Sequence, residues 1–303
     1  MASISETVAA QAGSDEDRWT NSNNKPTFVS IPSTINGVAK KTRWWTSFWF
    51  NLEPNHGYYV WGYDKNNPQM PQFDSIFDPG VSVAEQANGA LLKVKRNGSD
   101  APYTAELVFE GIEPGNSNSR PGYGYYAVTC EGADFGSLDP NVVLGIFTYQ
   151  FGESAQGPNR HREIDLLETI DQSQQTHDGK TNAQFAIQPA WVQNGVLQSG
   201  LRFTFPKNLT KITCFMYWQM VSGKPYIKLR IYKDAPSMDT MIKDGNGDKA
   251  IFNWPVGWAD NNPQRLNERM HINFYVPNGR KGRGLPSRDQ QVLISHFQYQ
   301  SEQ

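Results

Sequence analysis

Short runs of residues that favour β-strands recur along the chain, separated by Gly, Pro, Asn and Asp. The runs are rich in Val, Ile, Thr, Phe, Tyr and Trp. They read RWWTSFWF, GALLKVKR, YTAELVFEG, YGYYAVTCEG, NVVLGIFTYQF, REIDLLETI, NAQFAIQP, LRFTFP, ITCFMYWQMV, YIKLRIYKD, RMHINFYVP and QVLISHFQYQ. About a dozen strands without crossover helices predict an all-β antiparallel sandwich or barrel rather than an α/β sheet.

The remaining segments complete the predicted organisation. One short helix is predicted at residues 236–244 (PSMDTMIKD), with Ser237 as its N-cap. Long polar segments, among them WPVGWADNNPQRLNE (254–268), are predicted to be loops. Residues 1–24 are polar and acidic and are predicted to form a flexible tail. No break in composition and no repeat divides the rest, so residues 25–303 are predicted to form a single domain.

Composition and charge narrow the range of partners. Aromatic residues make up 13% of the chain, an excess that suits both a sugar-binding cleft and the core of a β-sandwich. The net charge is −2 and no basic stripe is present, which argues against nucleic acid as a partner. No apolar run is long enough to span a membrane.

The N-terminus and the cysteines leave alternatives open. The sequence MASISETVAAQAGSDEDRW lacks the basic and apolar regions of a secretory leader. We therefore expect either a protein of the cell interior or a secreted protein whose leader has been removed. Cys130 and Cys214 are the two cysteines, and the sequence does not decide whether they pair.

One run, HREIDLLETI (161–170), places three carboxylates among apolar residues. As a helix, Glu163, Asp165 and Glu168 would share no narrow face. As a strand, Glu163 and Asp165 lie on one face and Glu168 is out of phase by one residue. A one-residue β-bulge at Leu166 and Leu167 would return Glu168 to the acidic face, and bulges are frequent beside active sites.

Three carboxylates on one strand face suit retaining glycoside hydrolysis. In that chemistry one acid attacks the anomeric carbon while a second acid protonates the leaving oxygen and then activates water. The middle acid would bind and tune the nucleophile. Two other interpretations of the same pattern are a solvated sheet face and a Ca²⁺ site.

The motif EIDLLE resembles the E-[ILV]-D-x-x-E signature of glycoside hydrolase family 16 in its bulged form. Weaker similarity extends over NVVLGIFTYQF, GALLKVKRNGSDAPYTAELVFEG, YGYYAVT, NAQFAIQP, ITCFMYWQM and MHINFYVP, so that the resemblance covers about residues 45–300. It implies an antiparallel β-jelly-roll sandwich of the concanavalin A-like class, with a substrate cleft on one sheet.

The resemblance also implies roles for individual residues. It makes Glu163 the nucleophile, Asp165 the assisting acid and Glu168 the general acid/base. The positions that it assigns to substrate binding are Phe147, Tyr149, Asn182, Gln184, Asn273 and Tyr275. A place in the core is the ordinary alternative for Phe147, as a surface position is for His161.

The function implied is that of a retaining endo-β-glycosidase acting on a polysaccharide, most simply a β-1,3 or mixed-linkage β-glucan. The chemistry requires no cofactor, a structural Ca²⁺ is compatible with it, and a monomer is expected. The segment TIDQSQQ replaces the usual apolar continuation after the signature. Two alternatives therefore stay open: a jelly-roll that binds glycans without cleaving them, and a transglycosylase or galactan hydrolase of the same family.

Overall fold

The structure, a computed structural model, describes most of the β-rich part of the chain. The described residues are 27–46, 58–59, 75–77, 79–98, 100–150, 159, 161–169, 180–194, 196–276 and 285–302. The predicted tail, residues 1–24, lies outside them, and the single domain from residue 25 stays a prediction.

Within the described residues the chain forms strands almost throughout. The strands are β1 (Thr27–Ile35), β2 (Val38–Thr46), β3 (Tyr58–Tyr59), β4 (Ser75–Phe77), β5 (Val83–Gln86), β6 (Gly89–Asn97), β7 (Asp100–Phe109), β8 (Gly124–Glu131), β9 (Val143–Tyr149), β10 (Ile164–Thr169), β11 (Ala183–Gln193), β12 (Val196–Phe203), β13 (Lys211–Val221), β14 (Lys224–Lys233), β15 (Phe252–Gly257), β16 (Arg269–Tyr275) and β17 (Gln290–Ser301). Two short helices, α1 (Pro79–Ser82) and α2 (Met238–Lys243), and a 3-10 turn (Phe135–Ser137) accompany them.

The strands form two antiparallel layers, as the predicted jelly-roll sandwich requires. One layer has the spatial order β7, β16, β9, β10, β11, β12. The other has the order β6, β17, β8, β13, β14, β15. The layers are joined at one side, because β2 pairs with both β1 and β7 and β1 pairs with β17. The fold is thus an all-β antiparallel sandwich.

Alternating residues of both layers fill the core between them. In β13, Cys214, Met216 and Trp218 point inward and are fully buried. Such alternation places apolar residues on one face of each strand. The rings of Trp44 and Phe297 meet edge to face, with centroids 5.5 Å apart. Their burial removes large apolar surfaces from water, which is the dominant favourable term in folding.

Helix α2 covers part of the outer face of the second layer and confirms the predicted helix. Ser237 is the N-cap, and its hydroxyl accepts a hydrogen bond from the Thr240 N–H. Asp239 and Lys243 pair one turn apart at 2.7 Å. Met241 is fully buried in a small cluster with residues of β8, β13 and β14.

All twelve predicted strand runs overlap strands of the structure, and the principal correction concerns β15. The segment 254–268, predicted as a loop, begins inside β15, which runs from Phe252 to Gly257. This strand contains Pro255 and pairs only with β14 in the described part of the chain. Proline lacks the backbone N–H that donates to a neighbouring strand, and it is tolerated at the edge of a sheet. Because of Pro255, the sequence pattern indicated a loop where the structure has an edge strand.

The two cysteines do not pair in the structure. Cys130 and Cys214 are both free and buried. Burial raises the pKa of each thiol above its ordinary value, which makes the thiolate a minor species.

No helix among the described residues is both long enough and apolar enough to cross a membrane.

Candidate active site

The predicted β-bulge is present in β10 and sets the positions of the acids. Against β9, Asp165 is opposite Phe147 and Glu168 is opposite Gly145, so that β10 has one residue more than its partner. The same shift occurs against β11. Leu166 and Leu167, the two residues between the acids, are both fully buried. The bulge brings Asp165 and Glu168 to the same face, which we call the acid face.

The acid face extends across six strands in register. Directly opposite residues of antiparallel strands have side chains on the same face. One row across the first layer consists of Glu106, Asn273, Gly145, Glu168, Gln184 and Arg202. A second row consists of Val108, His271, Phe147, Asp165, Ala186 and Gly200. Because Gly145 has no side chain, it leaves room between Glu168 and Asn273.

Two glutamines of β11 bind the acids directly. The Gln188 amide Nε2 donates to Asp165 Oδ2 at 3.0 Å, and its Oε1 accepts from the Ala190 N–H at 2.8 Å. The Gln184 amide Nε2 donates to Glu168 Oε2 at 2.5 Å. Gln184, predicted to bind substrate, thus contacts an acid. Gln188 was not predicted, although its spacing of four residues from Gln184 is compatible with the same strand face.

The three acids share a strongly perturbed electrostatic environment. Burial, reinforced by the charge of Glu168, raises the pKa of Glu163 to about 8. Burial and the charges of Glu163 and Glu168 hold the pKa of Asp165 well above its ordinary value, against the effect of the Gln188 hydrogen bond. Burial raises the pKa of Glu168, while the Gln184 hydrogen bond and the Arg202 charge oppose that rise. The cluster therefore retains protons near neutral pH.

Aromatic rings border the acids on the β9 side. Phe147 and Tyr149 are half-buried and lie on the acid face rather than in the core, and their role in substrate binding stays a prediction. Tyr149 stacks on His161 with the ring centroids 5.0 Å apart and the planes within 6°. Phe147 stacks on His271 at 5.3 Å. A surface position was the alternative for His161. Its stacking on Tyr149 instead places it beside the acids.

The other predicted substrate-binding residues have different surroundings. Asn273 and Tyr275 are half-buried on β16, on the same side as the acids. Among the described residues, Asn273 Oδ1 is buried and has no hydrogen-bond partner. Asn182 precedes β11, and its Oδ1 accepts a hydrogen bond from the Phe205 N–H at 2.8 Å. The Asn182 side chain thus holds the loop after β12.

A buried histidine–carboxyl pair on the acid face was not predicted. His271 Nδ1 lies 3.0 Å from Glu106 Oε1, and both residues are buried. Burial, together with the charge of Arg269, lowers the pKa of His271 to about 3. The imidazole is therefore neutral, and the contact is a hydrogen bond rather than an ion pair. Sequence gave no signal for this pair, because 165 positions separate its members.

The described residues contain no cluster suited to a metal ion. No group of three or more His, Cys, Asp or Glu side chains within those ranges is arranged to hold a metal ion. A structural Ca²⁺ stays a prediction.

Comparison with known proteins gives distant likenesses only. No family model matches the sequence, and no curated protein is significantly similar to it. Solved structures with a similar fold include an endoglucanase I complexed with cellobiose, with 8% identity, coverage of 93% of this chain and 98% of that one, and a TM-score of 0.49. A laminarinase from Flavobacterium sp. UMI-01 has 10% identity, coverage of 73% and 82%, and a TM-score of 0.43.

A third similar structure is the κ-carrageenase from Pseudoalteromonas carrageenovora, in complex with an oligotetrasaccharide of κ-carrageenan. It has 12% identity, coverage of 92% of this chain and 96% of that one, and a TM-score of 0.40. At these identities and TM-scores, the function of this chain has to be inferred from its own side chains.

Proposed function

We propose that the protein is a retaining endo-β-glycosidase that hydrolyses a polysaccharide, in the first instance a β-1,3 or mixed-linkage β-glucan. Glu163 acts as the nucleophile and Glu168 as the general acid and then the general base. Asp165, between them, shares protons with both. The observation that supports this proposal most strongly is the bulge at Leu166 and Leu167, which places Glu168 on the same face as Asp165.

The electrostatics of the cluster supply what this reaction needs. A retaining mechanism requires one carboxylate and one carboxylic acid at the same time. Mutual repulsion and burial prevent the three acids from ionising together, so a proton stays in the cluster near neutral pH. The Gln184 amide binds Oε2 of Glu168. Oε1 is then the natural oxygen to carry a proton toward the glycosidic oxygen.

The alternative of glycan binding without cleavage explains the acids less well. Neutral hydrogen-bonding groups recognise sugar hydroxyls without the cost of placing carboxyls in a common buried site. Strongly perturbed carboxyls beside half-buried aromatic rings are typical of catalytic centres. The rings of Phe147 and Tyr149 suit stacking on sugar rings in either case, so the acids and not the rings distinguish the two functions.

Trapping of the covalent intermediate tests the proposal directly. The protein would be incubated with dinitrophenyl 2-deoxy-2-fluoro-glycosides built on laminaribiose, cellobiose and galactobiose cores. Fluorine slows both the formation and the hydrolysis of the intermediate, whereas the dinitrophenyl leaving group speeds its formation alone, so the intermediate accumulates. We expect a mass increase of one glycosyl unit, located by peptide mapping on Glu163. Denatured protein serves as the control, and a label on Glu168 or no label from any core would contradict the proposal.

The pH dependence of hydrolysis is the second expectation from this site. Activity requires a protonated general acid, and burial together with the repulsion among the three acids keeps a proton in the cluster near neutral pH. Activity also requires an ionised nucleophile, and burial moves the first deprotonation above the ordinary value of 4.5. We therefore predict a bell-shaped kcat/KM profile with its maximum near neutral pH, above the range that two ordinary carboxyl groups would give. The measurement is reducing-sugar release from laminarin and lichenan, and a maximum above about pH 9 would be inconsistent with these roles.

A further inference from the structure

The main chain at Glu163 lies just outside the regular hydrogen-bond ladder. Strand β10 begins at Ile164, one residue after Glu163. Arg162, which precedes Glu163, has a φ of +52°, in the left-handed region that side chains other than glycine rarely adopt. The Gln188 N–H of β11 donates to the Glu163 carbonyl at 3.2 Å, and side chains supply further contacts to the backbone that bears Glu163.

The Asn159 side chain supplies two of these contacts. Its Oδ1 accepts from the Glu163 N–H at 2.8 Å, and its Nδ2 donates to the Glu163 carbonyl at 3.0 Å. The same Nδ2 also donates to the Asn261 carbonyl at 3.2 Å. Asn261 in turn donates from its Nδ2 to the Ile187 carbonyl at 2.7 Å, and both asparagines are buried. One amide thus binds both main-chain groups of Glu163 and connects them to β11.

The Thr148 hydroxyl holds the residues on either side of Glu163. It donates to the Arg162 carbonyl at 2.7 Å and accepts from the Ile164 N–H at 3.1 Å. Thr148 is 2% exposed and lies on β9 between the two aromatic residues of the acid face, with its side chain on the opposite side. Three consecutive residues, 162–164, therefore have their main chain bound by side chains.

We propose that Asn159 and Thr148 form a main-chain clamp that positions the Glu163 carboxyl group for attack on the anomeric carbon. Both residues act through the main chain of residues 162–164 and are therefore positioning residues. This inference rests on the proposed function, because it assigns the clamp to the formation of the glycosyl-enzyme. An attacking group that is misplaced by about 1 Å loses on the order of 100-fold in rate. Side chains that are themselves locked by buried hydrogen bonds maintain such precision.

The test measures the rate at which the dinitrophenyl 2-deoxy-2-fluoro-glycoside of the best core labels Glu163. The dinitrophenyl group leaves without acid assistance, so the rate reports attack by Glu163 rather than proton donation by Glu168. We expect Thr148→Val, which keeps the shape but lacks the hydroxyl, to lower the limiting rate on the order of 100-fold with an unchanged half-saturation concentration. Thr148→Ser, which restores the hydroxyl, is expected to label nearly as fast as the wild type. Asn159→Ala is expected to behave like Thr148→Val.

The controls separate positioning from general destabilisation. Asn253 also uses both ends of its amide, on Arg230 and on the Asn246 carbonyl, but lies in β15 of the other layer. Asn253→Ala is expected to lower the Tm and leave the labelling rate per folded molecule unchanged. Wild-type rates in Thr148→Val and Asn159→Ala would overturn the clamp, as would an effect on half-saturation alone or an equal loss in Asn253→Ala. A wild type that no core labels would overturn the proposed function together with the clamp.

Discussion

Replacement of Glu163 by Gln is expected to abolish hydrolysis of the polysaccharide, with a loss of at least about 10⁴-fold in kcat, because the amide cannot attack the anomeric carbon. Gln has the shape of Glu and removes a charge that burial disfavours. The variant should therefore fold, and reducing-sugar release is the measurement. Glu168→Gln is expected to lose a comparable factor on the polysaccharide, because no proton reaches the leaving oxygen.

A second substrate separates the roles of the two glutamates. The dinitrophenyl 2-deoxy-2-fluoro-glycoside needs no general acid, so Glu168→Gln should still become labelled while Glu163→Gln should not. Glu131→Gln provides the matched control, since Glu131 is a carboxylate paired with Lys211 at 2.8 Å on a half-exposed surface. We expect full activity in that variant and a stability change below about 1 kcal/mol. Full activity in either site variant would reject the assignment.

The sequence predicted which face of the strand the acids occupy, because this depends only on the spacing of residues within one short run. Glu163, Asp165 and Glu168 stand in a pattern that neither a helix nor a regular strand places on one face, and a single bulge resolves the conflict. The apolar residues of the run gave the second constraint, because Leu166 and Leu167 both require burial. Two requirements within six residues were enough to predict a structural irregularity that the structure contains.

The contacts that surround the acids depend on register between distant strands and could not be predicted in the same way. His271 meets Glu106 because β16 pairs with β7. Gln188 meets Asp165 because β11 pairs with β10 so that Asp165 is opposite Ala186, two residues from Gln188. Hydrophobic alternation specifies which face a side chain occupies but not which residue lies opposite. Asn182 illustrates the same limit: it precedes a strand of the acid face, but its side chain binds the Phe205 N–H.

The acids that would make the site active are also expected to destabilise the fold, and this cost should depend on pH. Burial raises the pKa of Glu163 from 4.5 to about 8. The folded state therefore holds this proton more tightly than the unfolded state, and the free energy of unfolding falls as the pH rises from about 4.5 to about 8. Below about pH 4 the group is protonated in both states and the penalty disappears.

Glu163→Gln should consequently be more stable than the wild type at pH 8 and equally stable near pH 4. Because Glu163 is half-buried and its repulsion is shared with Glu168, we expect a gain of about 2 kcal/mol at pH 8. This gain corresponds to a Tm higher by about 5 °C for a chain of this size. The measurement is thermal unfolding of both proteins at pH 4, 6 and 8. Glu131→Gln is the control variant, and its stability relative to the wild type should not increase with pH. A Glu163→Gln protein that is less stable at pH 8, or equally stabilised at all three pH values, would show that burial and the charge of Glu168 do not raise the pKa of Glu163.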